Sequence, residues 1–193
     1  MEHDTDIVAR ILAGDNRQFG VLVDRYKDRA LTLACRLLGS NEEGEEVLQD
    51  AFLKAFYALP GFRGDARFGT WFYRIVYNSC MTRLSRRREA PVSLDGEMHG
   101  DDGASALPDT GTMSILERLE EEEMQTIMAE EMGRLPERFR AVLTLFYVQG
   151  QRYEEIALIL GEPLGTVKTH LSRGRALLRE RVARRYNDTV RAA

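Results

Sequence analysis

Apolar residues recur along this chain every three or four positions and nowhere alternate, so the pattern predicts an all-α protein. Ile7, Val8, Ile11 and Leu12 mark a first short helix that Asp4 or Thr5 can cap and Gly14 ends. A longer helix follows. Phe19, Leu22, Val23, Tyr26, Ala30, Leu33, Ala34 and Leu37 keep helical period down to Leu38, and Gly39 stops it where a left-handed residue is favoured. Ser40 and Glu43 form a capping-box pattern that opens a third helix, with Val47, Leu48, Ala51, Phe52, Ala55 and Phe56 as its buried stripe. Its opposite face, Glu42, Glu45, Glu46, Gln49 and Asp50, is acidic and polar, which suits either a solvated surface or a basic partner. After Leu59-Pro60-Gly61 a fourth helix, which Asp65 can cap, carries Phe68, Trp71, Phe72, Ile75, Val76 and Cys80.

The period then dissolves. Glu89 to Met113 is rich in Gly, Asp, Ser and Pro and reads as a flexible acidic linker. Ser114 and Glu117 make another capping box before an acidic helix to about Met132, and Leu135-Pro136 starts a further helix with Phe139, Val142, Leu143, Phe146 and Tyr147, closed by Gly150. Next come two helices joined by a tight turn. Tyr153, Ile156, Ala157 and Leu160 lie on the first, Gly161 breaks it, and Pro163 fits the first position of the second. There Leu164, Val167, Leu171, Gly174 and Leu178 form the apolar stripe, while Thr166, Lys168, Thr169, Ser172, Arg173 and Arg175 lie off it. This is a helix-turn-helix pattern, because a recognition helix in the major groove offers polar side chains to base edges and cations to phosphates.

Charge sharpens the picture. The 193 residues carry a net −4, yet residues 1–88 hold fourteen Lys/Arg against twelve Asp/Glu, residues 89–133 one against thirteen, and residues 134–193 twelve against six. Two neutral-to-basic bundles are thus joined by an acidic connector, and local charge is what a phosphate backbone feels once salt screens anything beyond about 10 Å. Between Gly165 and Arg185 seven cations meet only Glu180. From Ala66 to Arg88 six arginines meet no acid, with Trp71, Tyr73, Tyr77 and Asn78 interleaved. Cations track phosphates and flat aromatics stack on unpaired bases, so this helix suits melted DNA, although Trp71 and Phe72 equally fit the core.

Other chemistries find little support. His3, His99 and His170 share no metal-ligand spacing with one another or with Cys35 and Cys80, and no nucleophile-base or phosphate-loop motif occurs, so neither an enzyme nor a cofactor is expected. The two cysteines read as buried reduced thiols. No leader pattern opens the chain and no apolar run approaches the roughly 20 residues of a membrane span, so a cytoplasmic protein without membrane insertion is expected.

With these blocks in place the chain resembles the extracytoplasmic-function sigma factors of bacterial RNA polymerase. The stretches Asn41 to Leu59 and Phe62 to Cys80 look like the family's second conserved region, and Leu135 to Leu178 like its fourth. The resemblance implies a region 2 over residues 1–88, a linker over 89–113 and a region 4 over 114–193. It implies that Glu46, Gln49 and Asp50 dock core RNA polymerase, and that Phe62, Arg63, Arg67, Trp71, Arg74 and Asn78 trap bases of melting promoter DNA. Lys168, Thr169, Ser172 and Arg173 would read the upstream promoter element while Arg175 and Arg179 hold phosphates, and an anti-sigma factor is an implied partner. The competing reading is a one-component helix-turn-helix regulator. It uses only the C-terminal half, and a chain that alone footprinted an intact operator would favour it.

Overall fold

The computed structural model describes the backbone of residues 2–89 and 115–192, and the side chains of 2–89 and 124–188. The expected linker, the Ser114–Glu117 capping pair and the apolar residues Ile115, Leu116 and Leu119 lie outside the residues so described. The described regular structure is helical: α1 Asp4–Leu12, α2 Phe19–Leu38, α3 Asn41–Ala58, α4 Phe68–Glu89, α5 Ile115–Gly133, α6 Glu137–Leu143, α7 Tyr153–Leu160 and α8 Leu164–Ala192. A π-helical turn, Thr144–Val148, continues α6.

In the N-terminal bundle α2 packs on both α3 and α4, and α3 packs on α4. Leu22, Leu33, Leu37, Val47, Ala51, Phe72 and Val76 fill the space between them, each no more than 5% exposed. Removing such apolar surface from water is what holds three amphipathic helices together. Gly44 of α3 lies close against Cys35 of α2. A Cβ there would fall 2.5 Å from Cys35 Sγ and 3.0 Å from the Cys35 backbone nitrogen, so only glycine allows this approach.

The ends of these helices are set partly as the sequence predicts. Gly39 closes α2 at φ 72°, its N–H donating to the Cys35 carbonyl at 2.8 Å. Ser40 Oγ accepts from the Glu43 N–H at 3.3 Å, but the Glu43 carboxylate pairs with Arg83 and Arg87 of α4 instead of turning back to the cap. Neither Asp4 nor Thr5 caps α1. His3 occupies the cap position without a side-chain bond, and the Asp4 carboxylate accepts from Arg25 and from the Tyr26 hydroxyl, tying α1 to α2. Asp65 caps nothing either, since α4 starts three residues later and the Arg67 carbonyl takes its first bond, from the Trp71 N–H. Leu12, expected inside, is half exposed because it falls at the last residue of α1, beyond its neighbours.

In the C-terminal bundle α6 and α5 both pack on α8, and α7 closes the group. Phe139, Val142, Leu143, Ile156, Ile159, Val167 and Leu171 form its interior. Tyr147, expected inside, is 54% exposed, because the π turn adds a residue and rotates the helix face past it. Leu164, assigned to the buried stripe of α8, is exposed in the first turn, one turn before the stripe meets α6.

The two bundles pack on each other. The α7 helix lies on α4, and α6 with its π turn lies on α2. The half-buried Arg140 guanidinium donates to the Leu37 carbonyl at 2.8 Å and to the Gly133 carbonyl, and the Gln149 amide donates to the Arg29 carbonyl at 2.7 Å. Arg88 meets Glu137 at 2.6 Å and Arg67 meets Glu155 at 3.5 Å.

Cys80 is fully buried, and burial pushes its thiol up to about 12; Cys35 is half-buried and raised for the same first reason. A thiol rather than a thiolate at pH 8 is a poor nucleophile. Iodoacetamide at that pH is therefore expected to label Cys80 only after unfolding, as read by mass spectrometry; fast labelling of the native chain would contradict its burial.

Candidate nucleic-acid interface

Three surfaces carry the residues that the sequence singles out. The first is α3. Glu46, Gln49 and Asp50 are all exposed, and the stripe continues through Leu53 and Tyr57, which are 57% and 78% exposed. Positions 46, 50, 53 and 57 fall on one side of a helix. Leu53 and Tyr57 escaped the sequence reading because a single apolar residue on a polar face carries no periodic signal. Glu46 differs from its neighbours: its carboxylate pairs with Arg83 of α4, leaving Gln49 and Asp50 without a described partner.

The second surface is the loop before α4 and the outer stripe of that helix. Phe62, Arg63, Trp71 and Arg74 line one hollow of about 250 Å³, with Asp65 and Thr70 among its other walls. Phe62 is held against Trp71 at a ring separation of 5.0 Å, and Trp71 against Phe68 at 5.6 Å, so Trp71 is half-buried with one part of its ring left to the hollow. Asn78 is not in that hollow. It lies in a second one of similar size with Lys54, Ser79 and Thr82, where Lys54 Nζ bonds Ser79 Oγ at 3.0 Å. Trp71, Arg74, Asn78 and Thr82 follow at spacings of three and four, so one track along α4 joins the two hollows. Lys54 was missed in the sequence because it is a lone cation on an acidic helix.

Other residues of α4 are withdrawn from any such surface. Phe72 is fully buried, stacked on Phe52 at 4.5 Å and on Phe68 at 6.0 Å, which settles it as core. Tyr73 is 2% exposed, its phenol pushed up to about 12 by burial, so it offers no face to a base. Tyr77 is half-buried, and burial raises its phenol, with Glu162 and Glu137 adding to the shift. Arg67 stands outside the hollow in its pair with Glu155.

The third surface is the helix-turn-helix. Arg152 N–H donates to Glu155 Oε2 at 2.9 Å at the start of α7, and Gly161 ends the helix at φ 68°, a left-handed turn that suits glycine. Pro163 sits one residue earlier than expected. It is the cap rather than the first helical residue, its carbonyl accepting from Thr166 at 2.9 Å and Val167 at 3.2 Å. Glu162 serves no cap and reaches His170 Nδ1 at 3.2 Å. Val167 and Leu171 are buried, and Gly174 lets α6 approach α8, since a Cβ would meet Phe139 Cβ at 3.2 Å.

On the outer side of α8, Lys168, Thr169, Ser172, Arg173, Arg175 and Arg179 are all exposed. The seven cations of this segment divide cleanly. Arg181 pairs with Glu131, Arg184 with Glu180 and Arg185 with Glu130, whereas Lys168, Arg173, Arg175 and Arg179 meet no acid among the described residues. Four unneutralised cations on an exposed helix suit a polyanion. The Thr169 hydroxyl donates back to the Gly165 carbonyl at 2.9 Å, which leaves its methyl and oxygen lone pairs for any contact outward.

Comparison with known proteins agrees with this geometry. Residues 22–90 match the family model of sigma-70 region 2, and residues 125–178 match that of sigma-70 region 4. The chain is 32% identical to the ECF RNA polymerase sigma factor SigW of Bacillus subtilis over 184 residues, covering 91% of this chain and 94% of that one. It is 35% identical to the ECF RNA polymerase sigma-E factor of Escherichia coli over 182 residues, covering 93% and 94%. Among solved structures it resembles CnrH in complex with the cytosolic domain of CnrY, with a TM-score of 0.67, 26% identity and coverage of 93% of this chain and 96% of that one. The RpoE of Bartonella quintana, bound to the anti-sigma factor NepR, shares the fold at a TM-score of 0.67 and 21% identity. Both halves of the chain are accounted for together, which a one-component regulator does not explain, and the chain belongs to the extracytoplasmic-function sigma factors of bacterial RNA polymerase.

Proposed function

We propose that this sigma factor docks core RNA polymerase through α3, captures melted promoter DNA in the hollow before α4, and reads the upstream element with α8. The observation that carries the assignment is the co-occurrence, in one chain, of a hollow lined by Phe62, Arg63, Trp71 and Arg74 and a separate helix with four unneutralised cations. Gln49 and Asp50 are the polar core of the docking face, and Leu53 and Tyr57 extend it; Glu46 serves mainly to hold α3 to α4 through Arg83. Lys54 of α3 joins Asn78 of α4 as a contact to the strand. Residues 1–88 and 114–193 act as two domains and 89–113 as their connector. Transcription with core polymerase is the test: the chain is expected to direct initiation from a cognate promoter, and a failure to stimulate any promoter with active core enzyme would refute the reading.

An anti-sigma factor is the expected regulator, supported by the similarity to CnrH, which was solved with the cytosolic domain of CnrY. No helix among the described residues is long and apolar enough to cross a membrane, and the cytoplasm, where core polymerase works, is the compartment that fits the proposed role.

Reading and holding separate along α8. Arg173 is near enough to the helix start to reach base edges, whereas Arg179 lies about one and a half turns further on and meets phosphate. Arg173→Ala is expected to cost about 1 to 3 kcal/mol and relax preference at one position of the upstream element, while Arg179→Ala weakens all sequences alike and lowers the salt slope by about one. Binding of holoenzyme to a set of upstream-element variants distinguishes the two. An equal loss on every variant for Arg173→Ala would make that side chain a phosphate clamp.

A further inference from the structure

One side chain near the start of α8 belongs neither to its buried stripe nor to its free cations. His170 lies between Thr169 and Leu171, on the flank of the helix that carries Arg173 three residues further on. Its Nδ1 stands 3.2 Å from Oε2 of Glu162, in the turn before the helix. Both atoms are covered, and neither has another polar partner among the described residues. A covered carboxylate oxygen against a covered ring nitrogen is costly unless a proton lies between them, so Nδ1 is the donor. Phe139 of α6 fixes the ring from a second side, edge-on at 5.8 Å. The side chain is 19% exposed, and its Nε2 is neither covered nor bonded among the described residues.

We propose that His170 is a further DNA contact of the upstream-element surface: Glu162 clamps the imidazole at Nδ1, and Nε2–H is offered to a phosphate oxygen beside Arg173. With both ring nitrogens donating, the bound ring is an imidazolium. A neutral ring takes up one proton from solvent on binding, and its bonds to the carboxylate and to the phosphate are then both charge-assisted. Imidazole changes charge between about pH 5 and 8, so the contact is present at the acid end of that range and is lost as pH rises. The other groups around the pair keep their charge there. Arg138 of α6, whose guanidinium lies 4.9 Å over the Phe139 ring, and Arg173 on α8 itself are permanent cations. Carboxylates ordinarily stay ionised across this range, and those of the packed helices have partners of their own. Glu137 of α6 meets Arg88, Glu155 of α7 meets Arg152 and Arg67, and Glu130 and Glu131 of α5 meet Arg134, Arg181 and Arg185. Tyr77 of α4 is a phenol that burial raises and Glu162 raises further, so it remains neutral.

This inference rests on the assignment of α8 to the upstream element, and its test keeps the two apart. Binding of holoenzyme to a duplex of the promoter it transcribes is read by fluorescence anisotropy at pH 6 and pH 8, each over a salt series. Variants share one core enzyme, so every other histidine contributes alike. His170→Gln is expected to bind about tenfold more weakly than wild type at pH 6 and within about twofold of it at pH 8. Its salt slope at pH 6 is expected to be smaller by about one. His170→Arg, a permanent cation whose fork can meet carboxylate and phosphate together, is expected to bind at pH 8 as wild type does at pH 6. Glu162→Gln removes a charge at both pH values alike, so any change in the ratio of the two affinities reads the clamp. That ratio is expected to shrink toward the His170→Gln value, and adding His170→Gln should change it little further. If His170→Gln does not fold, the Arg and Glu162→Gln variants carry the test. An equal loss at both pH values with the salt slope kept would make His170 a prop of the turn and overturn the contact. A ratio untouched by Glu162→Gln overturns the clamp. Wild-type holoenzyme that binds every upstream-element variant alike would remove reading by α8 itself, and the inference with it.

Discussion

Phe72→Ala is expected to destabilise the N-terminal bundle by about 3 to 5 kcal/mol, enough to leave a large share of the chain unfolded at 37 °C. The ring is fully buried and stacks on Phe52 and Phe68, with Tyr26 edge-on at 6.1 Å. Its removal leaves a cavity that three aromatic neighbours on three helices cannot jointly fill. Trp71→Ala, one residue away, is expected to behave differently. Its ring is only half-buried and rests on Phe62, so the fold should hold while single-strand binding drops. Urea unfolding measured alongside anisotropy of a single-stranded probe separates the pair. Equal losses of stability from both substitutions would mean that Trp71 is core as well, and that the hollow lacks a stacking platform.

That contrast also shows where the sequence stops being informative. Helical period places Trp71 and Phe72 on adjacent, overlapping faces, and both suit a core; which of them is covered depends on Tyr26 and Phe52, brought in by α2 and α3. Local signals served well wherever one residue decides the backbone. Gly39, Gly161 and Ser40 end or start helices as expected, because left-handed φ and cap bonds involve only near neighbours. They failed for Asp4, which looks like a cap and instead bonds Arg25 and Tyr26. Leu12 and Leu164 mark the same limit in apolar form: the stripe is correct, but no neighbour reaches its end. The basic run of α4 overstates its free charge, since Arg83 and Arg87 are neutralised by Glu43 on α3 and Arg88 by Glu137 beyond the expected linker. The packing of α7 on α4 lies wholly beyond such reading. Glu155 and Arg67 are 88 positions apart, and no pattern in either helix names the other.

Gln49→Ala combined with Asp50→Ala is expected to weaken assembly with core polymerase by roughly a hundredfold or more without loss of fold. Both side chains are exposed and unpaired among the described residues, so removing them takes away no internal bond. Each charge-assisted contact buried in an interface is worth about 1.5 to 3 kcal/mol, and a carboxylate facing a cationic partner also speeds the encounter. Tyr57 adds a second kind of contribution. At 78% exposure it has little to hold it in the free chain, and a flat aromatic that becomes covered on docking is a frequent hot spot, so Tyr57→Ala should slow no encounter but hasten dissociation. Glu46→Ala is the internal comparison. Because its carboxylate is engaged by Arg83, its loss should show first as a small drop in thermal stability, with polymerase affinity reduced less than by Asp50→Ala. Surface-bound core enzyme with the four variants in solution gives both rates. If Glu46→Ala were the most damaging of the four, Arg83 would have to release it on docking, and the polar core of the face would shift one turn toward the start of α3. Wild-type rates for all four would remove α3 from the docking surface altogether.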